Sequence, residues 1–275
     1  MSENIFEIKN AEYVYPGNVT ALAGVSLEIK KGARIALMGA NGSGKSTLLL
    51  MLDGLIFPNK GLVNAFGREL TEQALTDADF AKSFRSKTGF VFQNPDIQLF
   101  CPTVREDIAF GPLCMGIAAE ETEKLVKKIA QEMGIIELLD RPPHRLSIGE
   151  KKKVAIATAL VMDPEVIIMD EPTAGLDPLT TRHIIDLLIK AGQAGKTVIT
   201  ATHDIHTVEE TADVIYVLGR DKKITASGTP QEILGNTTVL TENNLIHIHP
   251  HKHGEGEQPH AHPHFHDHHS HGHEA

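Results

Sequence analysis

The chain has 275 residues, enough for one large domain or two small ones with a sizeable core. A hydrophobic fraction of 41% and a charged fraction of 23% are ordinary for a globular protein, and a formal net charge of −10 argues against nucleic acid as the main partner. No apolar run approaches the roughly 20 residues that cross a bilayer, and residues 1–4 lack the basic start of a secretory signal, so we expect any membrane role to come through a partner.

The first predicted elements are two strands within residues 5–30, joined by a turn. Residues 26–30 alternate polar and apolar side chains, as a half-buried strand does. The turn follows two aromatic residues, Tyr13 and Tyr15. A ring at this place can stack on a flat base or pack against the sheet as a strand-end tyrosine, and the stretch alone leaves both alternatives open.

A glycine-rich loop comes next, between a predicted buried strand at residues 34–38 and a predicted helix at residues 47–52. It matches the pattern G-x-x-x-x-G-K-[ST] at every fixed position, and its residues are Gly39, Ala40, Asn41, Gly42, Ser43, Gly44, Lys45 and Ser46. Glycines let successive backbone N–H groups point at one anion, and the helix N-terminus adds its positive dipole end. The stretch therefore predicts a phosphate site in which Lys45 reaches the β- and γ-phosphates and Ser46 ligates Mg²⁺.

The middle of the chain has weaker local signals. A strand at residues 88–92 ends at Gln93, which in isolation is typical of an ordinary loop residue. Residues 104–141 are mostly helical in pattern. Ser147 and Glu150 have the spacing of a capping box and open a helix that runs to about residue 162. Capping alone explains that pair, so only a wider context can give it a function.

Two later strands end at polar side chains. Residues 166–169 form an apolar strand that runs into Asp170 and Glu171. Two adjacent acids can be a solvated edge, but beside a phosphate loop we favour Mg²⁺ chemistry, because Mg²⁺ prefers oxygen ligands. Residues 195–202 form a strand that delivers His203, although a single histidine at a strand end is more often structural.

Strands alternate with helical stretches throughout, which predicts an α/β fold: a P-loop nucleotide-binding core with a mostly parallel sheet. Ligands of such sheets bind at the carboxyl ends of the strands. The glycine-rich loop, Gln93, Asp170, Glu171 and His203 all follow strands, so we expect them to converge on one site.

Residues 247–275 change character, and we expect residues 1–246 to form the folded domain. Histidines alternate there with Gly, Pro and Glu, so no packed core can form and the tail is predicted to be disordered. Neutral imidazoles suit Ni²⁺, Cu²⁺, Co²⁺ and Zn²⁺, which favours a metal-binding tail over a merely solubilising one. The candidate ligands are His247, His249, His251, His253, His260, His262, His264, His266, His268, His269, His271 and His273.

Taken together, these motifs resemble those of an ATP-binding cassette (ABC) ATPase, the nucleotide-binding subunit of a transporter, over residues 3 to about 235. Residues 146–150 match the family's signature motif, Gln93 its Q-loop, residues 174–177 its D-loop and His203 its switch histidine. The resemblance implies two such subunits that close head to tail over two ATP molecules. It also implies an N-terminal antiparallel β subdomain and an inserted helical subdomain, at about residues 101–165.

The same resemblance assigns roles to individual residues. Ser46, Gln93 and Asp170 would hold Mg²⁺. Glu171 would orient or deprotonate the attacking water, His203 would contact the γ-phosphate, and Lys45 and Gln93 complete the catalytic set. The implied ATP-binding residues are Tyr15 on the adenine, Gly39, Ala40, Asn41, Gly42, Ser43, Gly44, Lys45, Ser46 and Thr47, with Ser147 and Gly149 from the facing subunit.

A closer resemblance is to the ATPase subunits of energy-coupling-factor importers for nickel and cobalt, through the stretches 92–96, 98–100, 103–113 and 149–157. It implies a peripheral subunit on the cytoplasmic face of the membrane, paired with a second cassette and with integral membrane subunits. Two features depart from the pattern. Ile148 stands where the signature usually has glycine, and the histidine tail replaces the helices that many relatives carry at this end.

Three apolar residues directly after Gln93, namely Ile97, Leu99 and Phe100, look exposed, and we expect residues 93–113 to carry the contact with the membrane partner. Two other classes remain as alternatives. A soluble cassette ATPase of DNA repair or translation usually carries paired cassettes or long insertions, and neither is visible. The other alternative is a protein that mainly stores metal, with the cassette as an accessory. Deleting the tail distinguishes it from a transporter ATPase, because in a metal store the deletion would abolish both ATPase activity and uptake.

Overall fold

Two β-sheets organise the computed structural model, which describes the backbone of residues 4–250 and 261–264 and the side chains of residues 4–246. The strands of these sheets are β1 (Asn4–Tyr15), β2 (Val19–Lys30), β3 (Arg34–Met38), β4 (Lys60–Ala65), β5 (Arg68–Glu69), β6 (Thr88–Val91), β7 (Val166–Asp170), β8 (Thr197–Ala201), β9 (Val214–Leu218) and β10 (Ile224–Gly228). The helices are α1 (Lys45–Leu52), α2 (Ala78–Lys87), α3 (Val104–Cys114), α4 (Ala119–Glu132), α5 (Ile148–Leu160), α6 (Pro178–Gln193), α7 (Ile205–Thr211), α8 (Pro230–Leu234) and α9 (Thr237–Glu242).

The smaller sheet has the strand order β2-β1-β4-β5, and all of its neighbours are antiparallel. Buried and exposed side chains alternate along the end of β2, as the sequence predicts: Leu27 and Ile29 are buried, whereas Ser26, Glu28 and Lys30 are exposed. The N-terminal antiparallel β subdomain is therefore confirmed.

The larger sheet has the order β10-β9-β3-β8-β7-β6, and every neighbouring pair is parallel except β10 with β9. Every residue of β7 and β8 is buried, because helices cover both faces of a parallel sheet and its strands read as continuous apolar runs. The predicted mostly parallel core is confirmed. Its carboxyl edge brings together the segments that follow β3, β6, β7 and β8.

Helices α3, α4 and α5 lie between β6 and β7 in the chain and share a hydrophobic core that includes Val104, Ile108, Val126 and Val154. The predicted capping box opens α5. The Ser147 hydroxyl accepts from the Glu150 N–H (3.3 Å), and the Glu150 carboxylate accepts from the Ser147 N–H (2.8 Å). The inserted helical segment is thus present as the sequence predicts.

Two short helices, α7 and α9, were not predicted from the sequence. Each has fewer than two full turns and begins at an Asp or Asn cap, Asp204 for α7 and Asn236 for α9. A segment of this length is too short to show the helical spacing of apolar residues, so tertiary packing decides its conformation.

In the tail, β11 (His247–Pro250) pairs antiparallel with β12 (Ala261–His264). The side chains of His247, His249, His262 and His264 lie outside the described residues, as do His251, His253, His260, His266, His268, His269, His271 and His273 entirely. The predicted disorder and metal binding of the tail therefore stay predictions. In the part of the chain that the structure describes, no helix has both the length and the apolar character needed to cross a membrane.

Candidate functional site

A cleft of about 500 Å³ opens where the glycine-rich loop meets the carboxyl ends of β6 and β7 and the start of β2. The residues that line it are Tyr15, Val19, Thr20, Ala21, Asn41, Gly42, Gly44, Lys45, Ser46, Thr47, Gln93, Asp170, Glu171 and Lys222. The cleft joins polar groups from five separate segments of the chain, as expected for the ligand site of a parallel sheet.

The glycine-rich loop wraps around the Lys45 side chain. Lys45 is buried, and its ammonium donates to the carbonyls of Gly39 (2.8 Å) and Ala40 (3.3 Å). Burial lowers the pKa of Lys45, while Glu171 and Asp170 act in the opposite direction. The loop ends at Gly44, whose φ of +111° and close approach to the Ala21 carbonyl leave no room for a Cβ. Helix α1 accordingly begins at Lys45, two residues earlier than the sequence predicts.

Three oxygen-bearing side chains, those of Ser46, Gln93 and Asp170, line the same cleft. Asp170 is buried, and its Oδ1 atom has no hydrogen-bond partner. Burial raises the pKa of Asp170, and a hydrogen bond from Ser46 partly offsets the effect. A buried carboxylate oxygen without a partner is costly by itself, so the donor set fits a hard cation such as Mg²⁺.

Glu171 and His203 form a pair beside these residues. His203 Nδ1 lies 2.9 Å from Glu171 Oε1, and this hydrogen bond raises the pKa of His203. Glu171 is buried and has a φ of +44°, a left-handed conformation that is rare for a residue with a side chain. Its N–H donates to the Ala201 carbonyl (2.8 Å), which holds the strained turn after β7.

Tyr15 lies at the rim of the cleft, half-buried at the end of β1. Its ring meets that of Tyr13 edge-on, with centroids 4.9 Å apart, and its hydroxyl lies 3.2 Å from the Thr47 hydroxyl. The packing alternative describes Tyr13, and the position of Tyr15 leaves stacking on a base as a prediction. Tyr13 packs against the core, whereas Tyr15 borders the open space of the cleft.

Ser147 and Gly149 are not among the described residues that line this cleft. A Cβ added at Gly149 would meet only Thr180 and Asp177 at ordinary contact distances of 3.6 and 3.8 Å. Packing within one subunit therefore does not demand glycine at this position. Neighbouring Ile148 is 65% exposed.

Two lysines at the site were missed from the sequence. Lys222, in the β9–β10 turn, lines the cleft and donates to the Gly42 carbonyl of the glycine-rich loop. Lys152, in α5, is buried and donates to the carbonyls of Phe92 and Gln93. Each lies in a lysine-containing polar stretch that looks like ordinary surface in the sequence, so no local signal distinguishes either of them.

The apolar cluster expected after Gln93 is exposed only in part. Ile97 is 64% and Phe100 66% exposed, as predicted. Leu99 is buried in the core of the helical segment, so its predicted exposure is wrong. The Phe100 ring packs edge to face against the Phe110 ring, with the two ring centroids 5.0 Å apart.

The comparisons with known proteins agree with this geometry. The family model described as ABC transporter matches residues 22–174. The nickel import ATP-binding protein NikO of Rhodobacter capsulatus is 47% identical over 244 residues, which cover 88% of this chain and 95% of the relative. The solved structure of cbiO1 from Clostridium perfringens, described as part of the ABC transporter complex cbiONQ, superposes with a TM-score of 0.73 and 36% identity over 88% of this chain and 95% of that chain.

A second solved structure is the dimeric ATP-binding cassette MJ0796 in a post-hydrolysis state with ADP and Pi. It superposes with a TM-score of 0.74 and 31% identity over 82% of this chain and 98% of that chain. Both the sequence and the fold of the chain are thus similar to those of ABC transporter proteins. The chain belongs to the ABC transporter family, as an ATP-hydrolysing cassette.

Proposed function

We propose that this chain powers the import of Ni²⁺ or Co²⁺ through a membrane partner complex, acting as one of two cassettes that close over ATP. One observation carries the catalytic part of the proposal. Lys45, Ser46, Gln93, Asp170 and Glu171 reach a single cleft from three different segments of the chain. That set supplies a cation for phosphates, oxygen ligands for Mg²⁺ and a carboxylate for water.

In this proposal, residues 1–246 form the cassette, with the helical subdomain at about 101–165, and residues 247–275 form a metal-binding tail. The helical subdomain is assigned from chain order, because α3, α4 and α5 lie between β6 and β7. These helices pack on one another in a core that they share with residues of the larger sheet such as Ile167 and Val198.

ATP binding is assigned to the glycine-rich loop and its neighbours. Successive backbone N–H groups of Gly39 to Ser46 and the N-terminus of α1 face the phosphates, and the Lys45 ammonium exchanges its loop carbonyls for phosphate oxygens. Tyr15 stacks on the adenine at the rim of the cleft, and its contact with the Thr47 hydroxyl holds the ring at the loop.

Mg²⁺ is assigned to Ser46, Gln93 and Asp170, because the unpartnered Asp170 Oδ1 provides an anionic ligand. When bound, the ion neutralises the negative charge that develops on the phosphate oxygens. Glu171 orients the attacking water and accepts its proton as the water oxygen bonds to the γ-phosphorus and the bond to the leaving ADP oxygen breaks. His203 holds the Glu171 carboxylate and faces the γ-phosphate from the next strand.

A facing cassette is assigned to complete the site with its Ser147 and Gly149. Within one subunit these residues lie outside the cleft, and Gly149 has space for a side chain. Two apolar residues near them are unusually exposed, Ile148 at 65% and Leu179 at 82%. An interface that covers this surface explains both the exposure and the glycine. The dimeric form of the similar MJ0796 cassette supports the same arrangement.

The membrane partner is assigned to a surface that we name the apolar patch, formed by Ile97, Phe100, Phe110 and Leu113. All four are exposed, and they follow the candidate Mg²⁺ ligand Gln93 within 20 positions of the chain. A helix of a membrane subunit that packs on this patch would be coupled to the Mg²⁺ site through a short segment. The chain would then reside at the cytoplasmic face of the membrane through this contact.

Nickel or cobalt as the cargo is supported by two independent observations. A relative described as a nickel import ATP-binding protein is 47% identical to the chain. The tail carries twelve histidines, a ligand type that suits both ions.

The test of this proposal is co-purification of the chain from membranes, followed by metal uptake in vesicles that contain the recovered complex. We expect integral membrane subunits to be recovered and ATP to drive accumulation of Ni²⁺ or Co²⁺, with none when the Glu171→Gln variant replaces the wild-type chain. Recovery of an active complex that accumulates neither ion would refute the cargo assignment and leave the ATPase assignment intact.

A further inference from the structure

Lys152 is the most deeply buried lysine in the described part of the chain, with 2% of its surface exposed. It lies in the second turn of α5, inside the run Lys151-Lys152-Lys153. An ammonium group in such a place is tolerated only with hydrogen-bond partners, because burial strips it of water. The partners therefore indicate what this side chain does.

Both recorded partners are backbone carbonyls of the segment that leaves β6. Lys152 Nζ donates to the Phe92 carbonyl (3.1 Å) and to the Gln93 carbonyl (3.0 Å). Charge-assisted bonds of this kind are about twice as strong as neutral ones. Together they fix the peptide units on either side of the Gln93 Cα atom, and so the direction in which the Gln93 side chain leaves the backbone.

A second side chain, Gln98, ties the same segment to the same helix. It accepts from the Phe92 N–H (3.1 Å) and donates to the Ala155 carbonyl and the Thr158 hydroxyl of α5, each at 2.9 Å. The segment that follows β6 is therefore attached to α5 by two side chains, Lys152 and Gln98. Since Ser147 caps α5, the helix that presents the signature residues also holds the backbone of a candidate Mg²⁺ ligand.

We propose that Lys152 is a positioning residue, which holds the Gln93 backbone so that the Gln93 amide reaches the Mg²⁺ site together with Ser46 and Asp170. The proposal rests on the Mg²⁺ site assigned above. Lys152 also transmits movements of α5 to this site, because a shift of the helix displaces the two carbonyls that it holds.

The test compares Lys152→Met, which keeps the length and apolar stem but removes the donors, with Lys153→Met, the neighbouring lysine outside this contact. The first measurement is hydrogen exchange of amides 92–98 in nucleotide-free, metal-free protein. We expect faster exchange in Lys152→Met and unchanged exchange in Lys153→Met, since the contact exists without any ligand.

The second measurement is binding of a fluorescent ATP analogue with EDTA and over a Mg²⁺ titration. With EDTA we expect the Lys152→Met dissociation constant to stay within about twofold of wild type. Mg²⁺ should strengthen binding of the analogue, and the Mg²⁺ concentration that gives half of this increase should rise about tenfold or more in Lys152→Met. A loss of this size is typical when a partner that orients a metal ligand is removed. Lys152→Arg, which retains cationic donors, should recover part of this loss.

Unchanged exchange at 92–98 together with a wild-type Mg²⁺ requirement in Lys152→Met would overturn the proposal. If Lys152→Met does not fold, Lys152→Leu, which also lacks a donor, takes its place, and a wild-type Mg²⁺ requirement there would overturn the proposal equally. A failure of the Mg²⁺ site itself is distinguishable, because wild-type protein would then show no Mg²⁺-dependent binding at all.

Discussion

His203 Nδ1 and Glu171 Oε1 lie 2.9 Å apart at the carboxyl ends of two neighbouring parallel strands. Glu171 holds this position in a left-handed backbone conformation that costs about 1–3 kcal/mol for a residue with a side chain. Strain of this kind persists where the surrounding structure determines it, here through the bond from the Glu171 N–H to Ala201. The carboxylate is therefore aimed before any ligand binds.

Replacing that carboxylate by an amide should separate binding from hydrolysis. We expect Glu171→Gln to bind ATP with a dissociation constant near that of wild type and to lose turnover by about 10²-fold or more, as for a removed general base. The bound form should accumulate as a closed dimer, detectable by size-exclusion chromatography with ATP. Steady-state hydrolysis within about twofold of wild type would contradict the role of Glu171.

Lys45→Ala should act on nucleotide binding itself, because it removes the cation that the loop holds and that we assign to the phosphates. Equilibrium titration with a fluorescent ATP analogue should show a dissociation constant raised about tenfold or more, equivalent to at least about 1.4 kcal/mol. Lys223→Ala, an exposed lysine in the β9–β10 turn, is the matched control and should leave binding unchanged. Equal affinities for Lys45→Ala and wild type would mean that the loop does not bind phosphates.

The apolar patch should be needed for membrane assembly and not for hydrolysis. We expect the double change Ile97→Ser and Phe100→Ser to reduce recovery of membrane subunits in a pull-down and to leave the basal ATPase rate of the isolated chain within about twofold, since surface substitutions outside a site are usually mild. The control is Ile136→Ser, which changes an apolar residue that is 43% exposed outside the patch. Equal recovery in both variants, or crosslinks that map only to other parts of the cassette, would show that the contact surface lies elsewhere.

The histidine tail should bind several transition-metal ions with modest affinity. Calorimetry on the full chain and on residues 1–246 should show Ni²⁺ bound more tightly than Co²⁺, and Mg²⁺ hardly at all, only when the tail is present. Binding needs neutral imidazole, with an unperturbed pKa of about 6.5, so it should weaken as the pH falls below that value. Basal hydrolysis should survive the truncation, and uptake at scarce metal should change. The same Ni²⁺ stoichiometry in the two proteins would show that the tail does not bind Ni²⁺ and is only a solvated appendage.

An ion pair between the partly exposed Arg85 and the buried Asp53, at the end of α1, gives a stability prediction. Arg85 donates to the Asp53 carbonyl (2.6 Å) and carboxylate (3.0 Å), and burial raises the pKa of Asp53 from 3.8 to about 6. Since the folded-state value is the higher one, protonation of Asp53 favours the folded chain. That contribution is complete below about pH 3.8 and is lost as the pH rises through about 6.

We therefore expect Arg85→Met to lower the free energy of unfolding by about 3–5 kcal/mol at pH 8, where it leaves a buried carboxylate without its cation. The loss should shrink below about pH 6, because Asp53 is then neutral. Urea denaturation at both pH values checks this. The exposed pair of Arg68 with Asp77 is the control, and Arg68→Met should cost about 1 kcal/mol or less at either pH. If Arg85→Met lowers the free energy of unfolding equally at both pH values, the effect comes from lost packing and not from the unpaired charge of Asp53.

Local features of the site were predictable from the sequence. The glycine-rich loop is one run of eight residues that the sequence pattern identifies by itself, although helix α1 begins two residues earlier than predicted. The capping box of Ser147 and Glu150 is equally local, and the structure confirms it. The convergence of strand ends was predictable as well, because parallel strands place their carboxyl ends at one edge.

Positions that depend on contacts between distant segments were not predictable. Leu99 and Phe100 are neighbours of similar character, yet Leu99 is 9% and Phe100 66% exposed, since only one of them meets the core of the helical segment. In the lysine run 151–153, the sequence offers no reason why Lys152 alone is buried. Packing of α5 against the segment after β6 makes that choice.

By itself, then, the sequence determined the chemical groups of the candidate site, the glycine-rich loop, the capping of α5 and the alternation that builds a mostly parallel core. The tertiary structure alone decided which lysines face the site, which apolar side chain after Gln93 stays exposed, and that Glu171 meets His203 across 32 positions of the chain. The reason is physical: spacing and composition act within one or two turns or strands, whereas burial and pairing arise from surfaces that meet only when distant segments pack.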